Sequence, residues 1–245
     1  MSPGRIRCEN NSETKDNTTA IAVNTLSTVS NTGWNTPYVE INGLKWATMN
    51  IGATSPTDNG YYFFWGGTEG YKRVGSKWVK ASDNTEIASG GFASANDPHD
   101  NGSAYAKYTG TSGDGKTILD LADDAANANW GGSWRMPTMS EFDALKSLKK
   151  GDFASGYHFG GDTEAAQIFL PAAGYGYGTG LNDVGDDGYY WSSSLYTYSP
   201  YYAYHLRFNE YDANTREYER YYGQSVRAAP GAARNVYGMW VDRET

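Results

Sequence analysis

Forty residues, Gly188–Arg227, carry 11 of the chain's 21 tyrosines, and their spacing constrains the fold more than any other feature. Tyr189-Tyr190-Trp191-Ser192-Ser193-Ser194 sets large rings beside small hydroxyls, as a strand with one covered face does. Ala203-Tyr204-His205-Leu206-Arg207-Phe208 alternates again. A period of two puts Tyr204, Leu206 and Phe208 on one face and Ala203, His205 and Arg207 on the other. Gly223 and Ser225-Val226-Arg227 read as a turn and a closing strand. Between these anchors stand Tyr196, Tyr198, Tyr201, Tyr202, Tyr211, Tyr218, Tyr221 and Tyr222. A core does not need so many phenols, since each buried hydroxyl must find a partner. A binding surface does, because tyrosine gives large, rigid, amphipathic contact area at low entropic cost.

Composition narrows the partners. The chain has 245 residues, enough for one large domain or two small ones, and its 15% aromatic content with 30 glycines points to a β-rich or irregular, turn-laden fold. A net charge of −8 makes nucleic acid a poor partner. The single cysteine, Cys8, lies in a polar tail, so neither an intrachain disulfide nor a thiolate metal cluster is expected. No apolar run reaches the roughly 18 residues of a membrane span. The N-terminal residues lack an apolar stretch and do not read as a secretory signal. Residues 1–33 are rich in Asn, Ser and Thr and read as a polar arm or linker, with Ala20–Val23 as the one short strand it could hold.

From Tyr38 the pattern changes. Tyr38–Ala47 reads as a hairpin turning at Asn42-Gly43. Tyr61–Trp65 is a bulky run between glycines. Residues 68–129 are the least regular and predict an irregular insertion, with a short helix over Asp120–Asn129. Thr138, followed three residues on by Glu141, predicts a capping box. The helix it starts is expected to run to about Lys149, with Phe142, Leu145 and Leu148 on one face and Gly151 ending it. Ile168–Tyr175 reads as a buried strand.

Seven stretches in this order, GLKWATMNIGA, GYYFFWGG, GGSWRMPTMSEFDAL, IFLPAAGYGYG, GYYWSSS, AYHLRF and GQSVRAA, resemble the Fibrobacter succinogenes major paralogous domain. The resemblance covers about residues 34–229. It implies an α+β, C-type-lectin-like fold of the formylglycine-generating-enzyme type: antiparallel sheets, one or two helices and long irregular insertions. Residues 230–245 would be a C-terminal extension. The tyrosine tract further resembles the variable region, here about 189–222, of proteins diversified by retroelements that copy a template with errors at adenines. Asn codons of AAY type then become a restricted set of residues that includes Tyr, Asp, His, Ser, Asn and Arg but never Glu, Lys, Gln, Met or Trp. Here Asp212 and Arg220 stand beside the tyrosines as residues of that set. Glu210, Glu217 and Glu219 fall outside the set and would need other template codons.

The resemblance makes Tyr196, Tyr198, Tyr201, Tyr202, His205, Arg207, Asn209, Tyr211, Asn214, Arg216, Tyr218, Tyr221 and Tyr222 the expected ligand-binding residues. The ligand would be a protein or glycan on another cell, met by a phage receptor-binding tip or a cell-surface adhesin. The alternative is a non-diversified, lectin-like surface adhesin or structural protein of the same family. Catalysis is not expected: copper-dependent relatives need paired cysteines, iron-dependent ones need three histidines, and His99, His158 and His205 show no HxxxH spacing. No cofactor is expected either. Asn182–Asp187, and Asn96-Asp97 with Asp100-Asn101, offer oxygens of the kind calcium accepts, but neither follows EF-hand spacing, and solvated turns are the stronger reading. Arg135 and Arg227, inside framework motifs, read as buried structural donors.

Overall fold

A computed structural model describes residues 27–31, 34–102, 104–110, 113–151 and 154–231. Cys8, the Ala20–Val23 stretch and residues 232–245 lie outside them. Strand β1 (Ser27–Asn31) pairs with β2 (Trp34–Ile41), and β2 with β3 (Leu44–Ala47), in an antiparallel meander. Asn42 and Gly43 both have positive φ, 53° and 76°, as a two-residue hairpin loop that follows strand twist requires. Strand β1 falls within residues 1–33, the stretch read above as a polar arm or linker.

The next stretch is more regular than its composition implied. After β4 (Tyr62–Phe63), β5 (Tyr71–Val74) and β6 (Lys77–Lys80) form a hairpin with Trp78 buried. Helix α1 (Ala125–Trp130) starts at Asp124, whose carboxylate accepts from the amides of Ala126 and Asn127. Short strand β7 (Trp134–Arg135) leads to α2 (Met139–Lys146), which opens with the Thr138/Glu141 capping box. Helix α2 stops before Lys149: Lys149–Lys150 is extended as β8 and pairs with β9 (Gly156–Gly160), which pairs in turn with β10 (Gln167–Pro171).

The remaining strands are the hairpin β11 (Tyr175–Tyr177) and β12 (Gly180–Asn182), then β13 (Gly188–Leu195), β14 (Tyr202–Phe208), β15 (Ala213–Glu219), β16 (Gln224–Ser225) and β17 (Ala229–Pro230). Strand β17 pairs with β7. The largest sheet has seven strands in the order β15-β14-β13-β16-β4-β5-β6, and its β13–β16 pair is parallel.

Strand β13 is buried on both faces. Tyr190 packs with Leu206, Phe208, Phe142 and Leu145 on the side of α2. Trp191 packs with Phe63, Trp65 and Val226 on the other. Indole N–H groups tie the layers: Trp191 donates to Phe63 O at 2.9 Å and Trp65 to Ser192 O at 2.7 Å. Arg227, fully buried, donates to Asn50 Oδ1, Ala47 O and Phe169 O, each at 2.9 Å. Burial lowers its pKa to about 10, so it stays charged at neutral pH.

The α+β, C-type-lectin-like class expected above does not hold. Among the described residues strand accounts for 39% and helix for 13%, so the described protein is mostly β, with several sheets and two α-helices. The helices stay short because the 3.6-residue pattern is confined to one turn or two; residues 71–80, expected to be irregular, extend the main sheet instead. No helix among the described residues is long and apolar enough to cross a membrane.

Candidate ligand-binding surface

Strands β13, β14 and β15 place the tyrosine tract. Their register pairs Tyr189 with Arg207, Trp191 with His205, His205 with Arg216, and Ala203 with Tyr218. Directly opposed residues share a face, so His205 and Arg207 lie opposite Leu206, as alternation predicts.

His205 is nevertheless not displayed. It is 1% exposed, because Tyr218 lies flat on its ring with centroids 5.2 Å apart, while Tyr189 and Trp191 close in at 5.5 and 5.9 Å. Its Nδ1 is 2.9 Å from Gln224 Oε1. Burial lowers its pKa to about 4, and the nearby Arg207 and Arg216 charges act in the same direction, so the ring is neutral at neutral pH. Arg207 is half-buried, 3.0 Å from Asp187 and 3.7 Å from Asp212. Arg220, grouped above with the variable residues, is fully buried between Trp65 and Tyr105, at 4.6 and 3.9 Å from their ring centres. Its Nη1 donates to the carbonyls of Pro200, Lys107 and Tyr108. His205 and Arg220 are part of the framework because neighbouring strands and loops close over them, and Arg207 is held to it by its two carboxylate partners.

The other expected residues fall into three groups. Tyr196, Tyr198, Tyr201 and Tyr202 gather at the loop joining β13 and β14. The Tyr196 ring lies 5.5 Å from Tyr198 and 6.3 Å from Tyr202; Tyr198 is 86% exposed and Tyr201 49%. At the far end, six strand steps or about 20 Å away, Tyr211 is also 86% exposed. There the Asn209 side chain is spent on the turn, accepting from the amides of Tyr211 and Asp212, and Asn214 donates to Asp212. The 13 residues therefore do not form one patch.

Between the ends lies the third group, an aromatic field on the His205 face. Tyr218 contacts Tyr222 at 4.5 Å, Tyr222 contacts Tyr221 at 5.0 Å, and Tyr177 stacks on Tyr222 at 4.9 Å and 12°. Tyr175 sits in the middle, 4.9 Å from Tyr189, 5.5 Å from Tyr222 and 5.8 Å from Tyr218. Burial pushes the hydroxyl pKa of Tyr189, Tyr218, Tyr221 and Tyr222 up, and Glu219 adds to this at the last two, which keeps the phenols neutral. Beside the field is an open hollow of about 340 Å³ lined by Tyr189, His205, Arg207, Arg216, Glu217 and Tyr218.

The sequence reading missed Tyr175, Tyr177 and Tyr189. The signal for Tyr175 and Tyr177 was the Tyr-Gly-Tyr alternation of β11, which sends both rings to one face. What brings them to the field is a backbone contact: Gly176 and Gly223 exchange hydrogen bonds of 2.7 and 2.9 Å over Phe92. A Cβ on either glycine would lie 2.5 or 2.4 Å from the Phe92 ring, so only glycine lets the segments meet there.

The remaining polar candidates have structural partners. Arg135 is 2% exposed and pairs with Glu141. His99 Nε2 is 3.0 Å from Gly66 O, and His158 packs on Phe169. Asp183 and Asp187 both accept from the Tyr189 hydroxyl. Asp97 is buried and accepts from the His99 amide and the Tyr105 hydroxyl; burial raises its pKa to about 6. Asp100 accepts from the Gly102 amide and Asn101 from that of Ala104. Among the described residues no group of three or more His, Cys, Asp and Glu is placed to hold a metal ion.

A family model described as a domain of unknown function, DUF8237, matches residues 155–228. That span begins before β9 and ends after β16, so it takes in the tyrosine tract and the β11 hairpin that completes the field. No curated protein matches the chain, and no solved structure does.

Proposed function

We propose that this chain is a ligand-binding protein that presents a Tyr-rich, diversified surface on a mostly β scaffold, for recognition of a partner on another cell or particle. The observation that carries this reading is the contrast within one tract. Tyr198 and Tyr211 are 86% exposed, whereas Trp191, Leu206, Phe208 and Val226 are fully buried. Open rings gathered in one place, as Tyr196, Tyr198, Tyr201 and Tyr202 are at the β13–β14 loop, mark interaction surfaces, and a scaffold held by buried indoles and Arg227 tolerates change at the open positions. Diversification is proposed for Tyr196, Tyr198, Tyr201, Tyr202, Tyr211, Asn214, Arg216 and Tyr221, which are at least partly open. His205, Arg207, Asn209, Tyr218, Tyr222 and Arg220 hold structure and are left out.

Two measurements test this. Deep sequencing of the gene from a culture of its source organism should find substitutions concentrated at the open codons; an even spread over the gene overturns diversification. The purified protein and a Tyr198→Ser/Tyr201→Ser/Tyr211→Ser variant should be compared on glycan and surface-protein arrays. Ligands bound by the parent and lost by the variant support the reading. Binding of no ligand by the parent overturns it; if every bound ligand also binds the variant equally, the open tips are not the recognition surface.

A further inference from the structure

We propose that the hollow between β13, β14 and β15 binds an acidic saccharide, a pyranose bearing a carboxylate, seated on Tyr218 and paired with Arg216. This deepens the ligand-binding reading and rests on it.

Three observations converge. The first is size and shape. A concave volume of about 340 Å³ lies at the lower end of small-ligand pockets, roughly 300–1,000 Å³. One or two pyranose rings suit it, whereas a protein partner needs about 800 Å² on each side.

The second is a floor that is already set. The His205–Tyr218 stack, with the buried Tyr189 ring 6.0 Å from Tyr218, gives a partly open Tyr218 ring held in place by packing. The Tyr189 hydroxyl is fixed by Asp183 and Asp187. Such a site loses little side-chain freedom on binding. Ring faces with polar edges match a sugar, whose C–H faces are apolar and whose equator carries hydroxyls.

The third is charge. Of the two guanidinium groups on the rim, Arg207 is taken up by Asp187 and Asp212. Arg216, opposite His205 on β15, is exposed and makes no ion pair among the described residues. In a chain of net charge −8, a free guanidinium beside an aromatic hollow is set for an anion. Arginine takes a carboxylate through two parallel N–H donors.

Isothermal calorimetry with digalacturonate, the methyl glycoside of N-acetylneuraminic acid and neutral digalactose tests this on the full chain. At least one acidic saccharide should bind at least tenfold more tightly than digalactose. Arg216→Gln should lose at least tenfold while melting as the parent does, and Arg216→Lys should keep part of the affinity. Lys77→Gln, which removes a charge from the distant β5–β6 hairpin, should bind as the parent does. No binding of either acidic saccharide, equal binding of digalactose, or an unaffected Arg216→Gln variant overturns the assignment. If the arrays yield tip-dependent protein ligands while both acidic saccharides fail, the hollow assignment falls and the ligand-binding reading stands. If no ligand of any class appears, both fall.

Discussion

The imidazole of His205 lies against the phenol ring of Tyr218, with ring centres 5.2 Å apart and planes inclined by 17°. The two residues come from neighbouring strands, and each decides the other's role. Tyr218 covers His205, and His205 fixes the ring that floors the hollow. Truncating Tyr218 to Ala should therefore cost about 2 kcal/mol, the transfer free energy of a large, partly buried ring. The same truncation at Tyr198 should stay within about 0.5 kcal/mol. Urea unfolding of the two variants checks this; equal costs would mean that Tyr218 is display rather than framework.

His205 also gives a pH signature. Its folded pKa, about 4, lies below the ordinary histidine value of about 6.5. The unfolded chain therefore binds the proton more readily. The contribution is complete above about pH 6.5 and is lost as pH falls towards 4, on the order of 3 kcal/mol in all. Asp97, whose pKa is raised to about 6, acts in the opposite sense over part of that window. The His205 share is thus the difference between the parent and His205→Gln, measured from pH 7 to pH 4, and it should shrink steadily on acidification. A difference that does not change with pH would contradict a neutral buried imidazole.

Gly176→Ala and Gly223→Ala should each destabilise the fold by about 1–3 kcal/mol, because the new methyl meets the Phe92 ring at 2.5 or 2.4 Å. Both should also pull β11 from its neighbour and separate Tyr177 from Tyr222. Calorimetric melting gives the first effect. Loss of ring-current shifts at the two tyrosines in proton spectra gives the second.

Arg220 secures the loop that presents Tyr196–Tyr201. Its Nη1 is 3.0 Å from Pro200 O, and its amide donates to Tyr201 O at 3.1 Å. Arg220→Met should cost on the order of 3 kcal/mol, since it strands the buried carbonyls of Lys107, Tyr108 and Pro200 and removes the nearby positive charge that favours the Asp97 carboxylate. Amide exchange over residues 196–202 should rise in that variant. Arg220→Lys should restore only part, because one ammonium cannot reach carbonyls from both the 107–108 and the 200 segments while filling the space between Trp65 and Tyr105.

Phe208→Ala and Trp191→Ala should each cost about 3–5 kcal/mol. Both side chains are fully buried, on opposite faces of the same sheet. Chemical denaturation with parallel fluorescence and circular dichroism provides the check; losses below about 1 kcal/mol would remove the framework assignment.

The sequence by itself determined the local devices. Asn42-Gly43 gave the hairpin because its residues tolerate positive φ. Thr138 and Glu141 gave the capping box because one satisfies the other's amide. The alternation of Ala203–Phe208 gave the two faces of β14, since side chains on a strand alternate whatever lies around them. Only the tertiary structure decided which face was covered and by what. Tyr218 reaches His205 through strand register, Tyr175 and Tyr177 reach Tyr222 through two glycines 47 residues apart over Phe92, and Arg220 is enclosed by Trp65 and Tyr105 from distant segments. A period of two assigns a side chain to a face. It carries no information about the neighbour that buries that face, because that neighbour is chosen by packing between parts of the chain that local sequence does not connect.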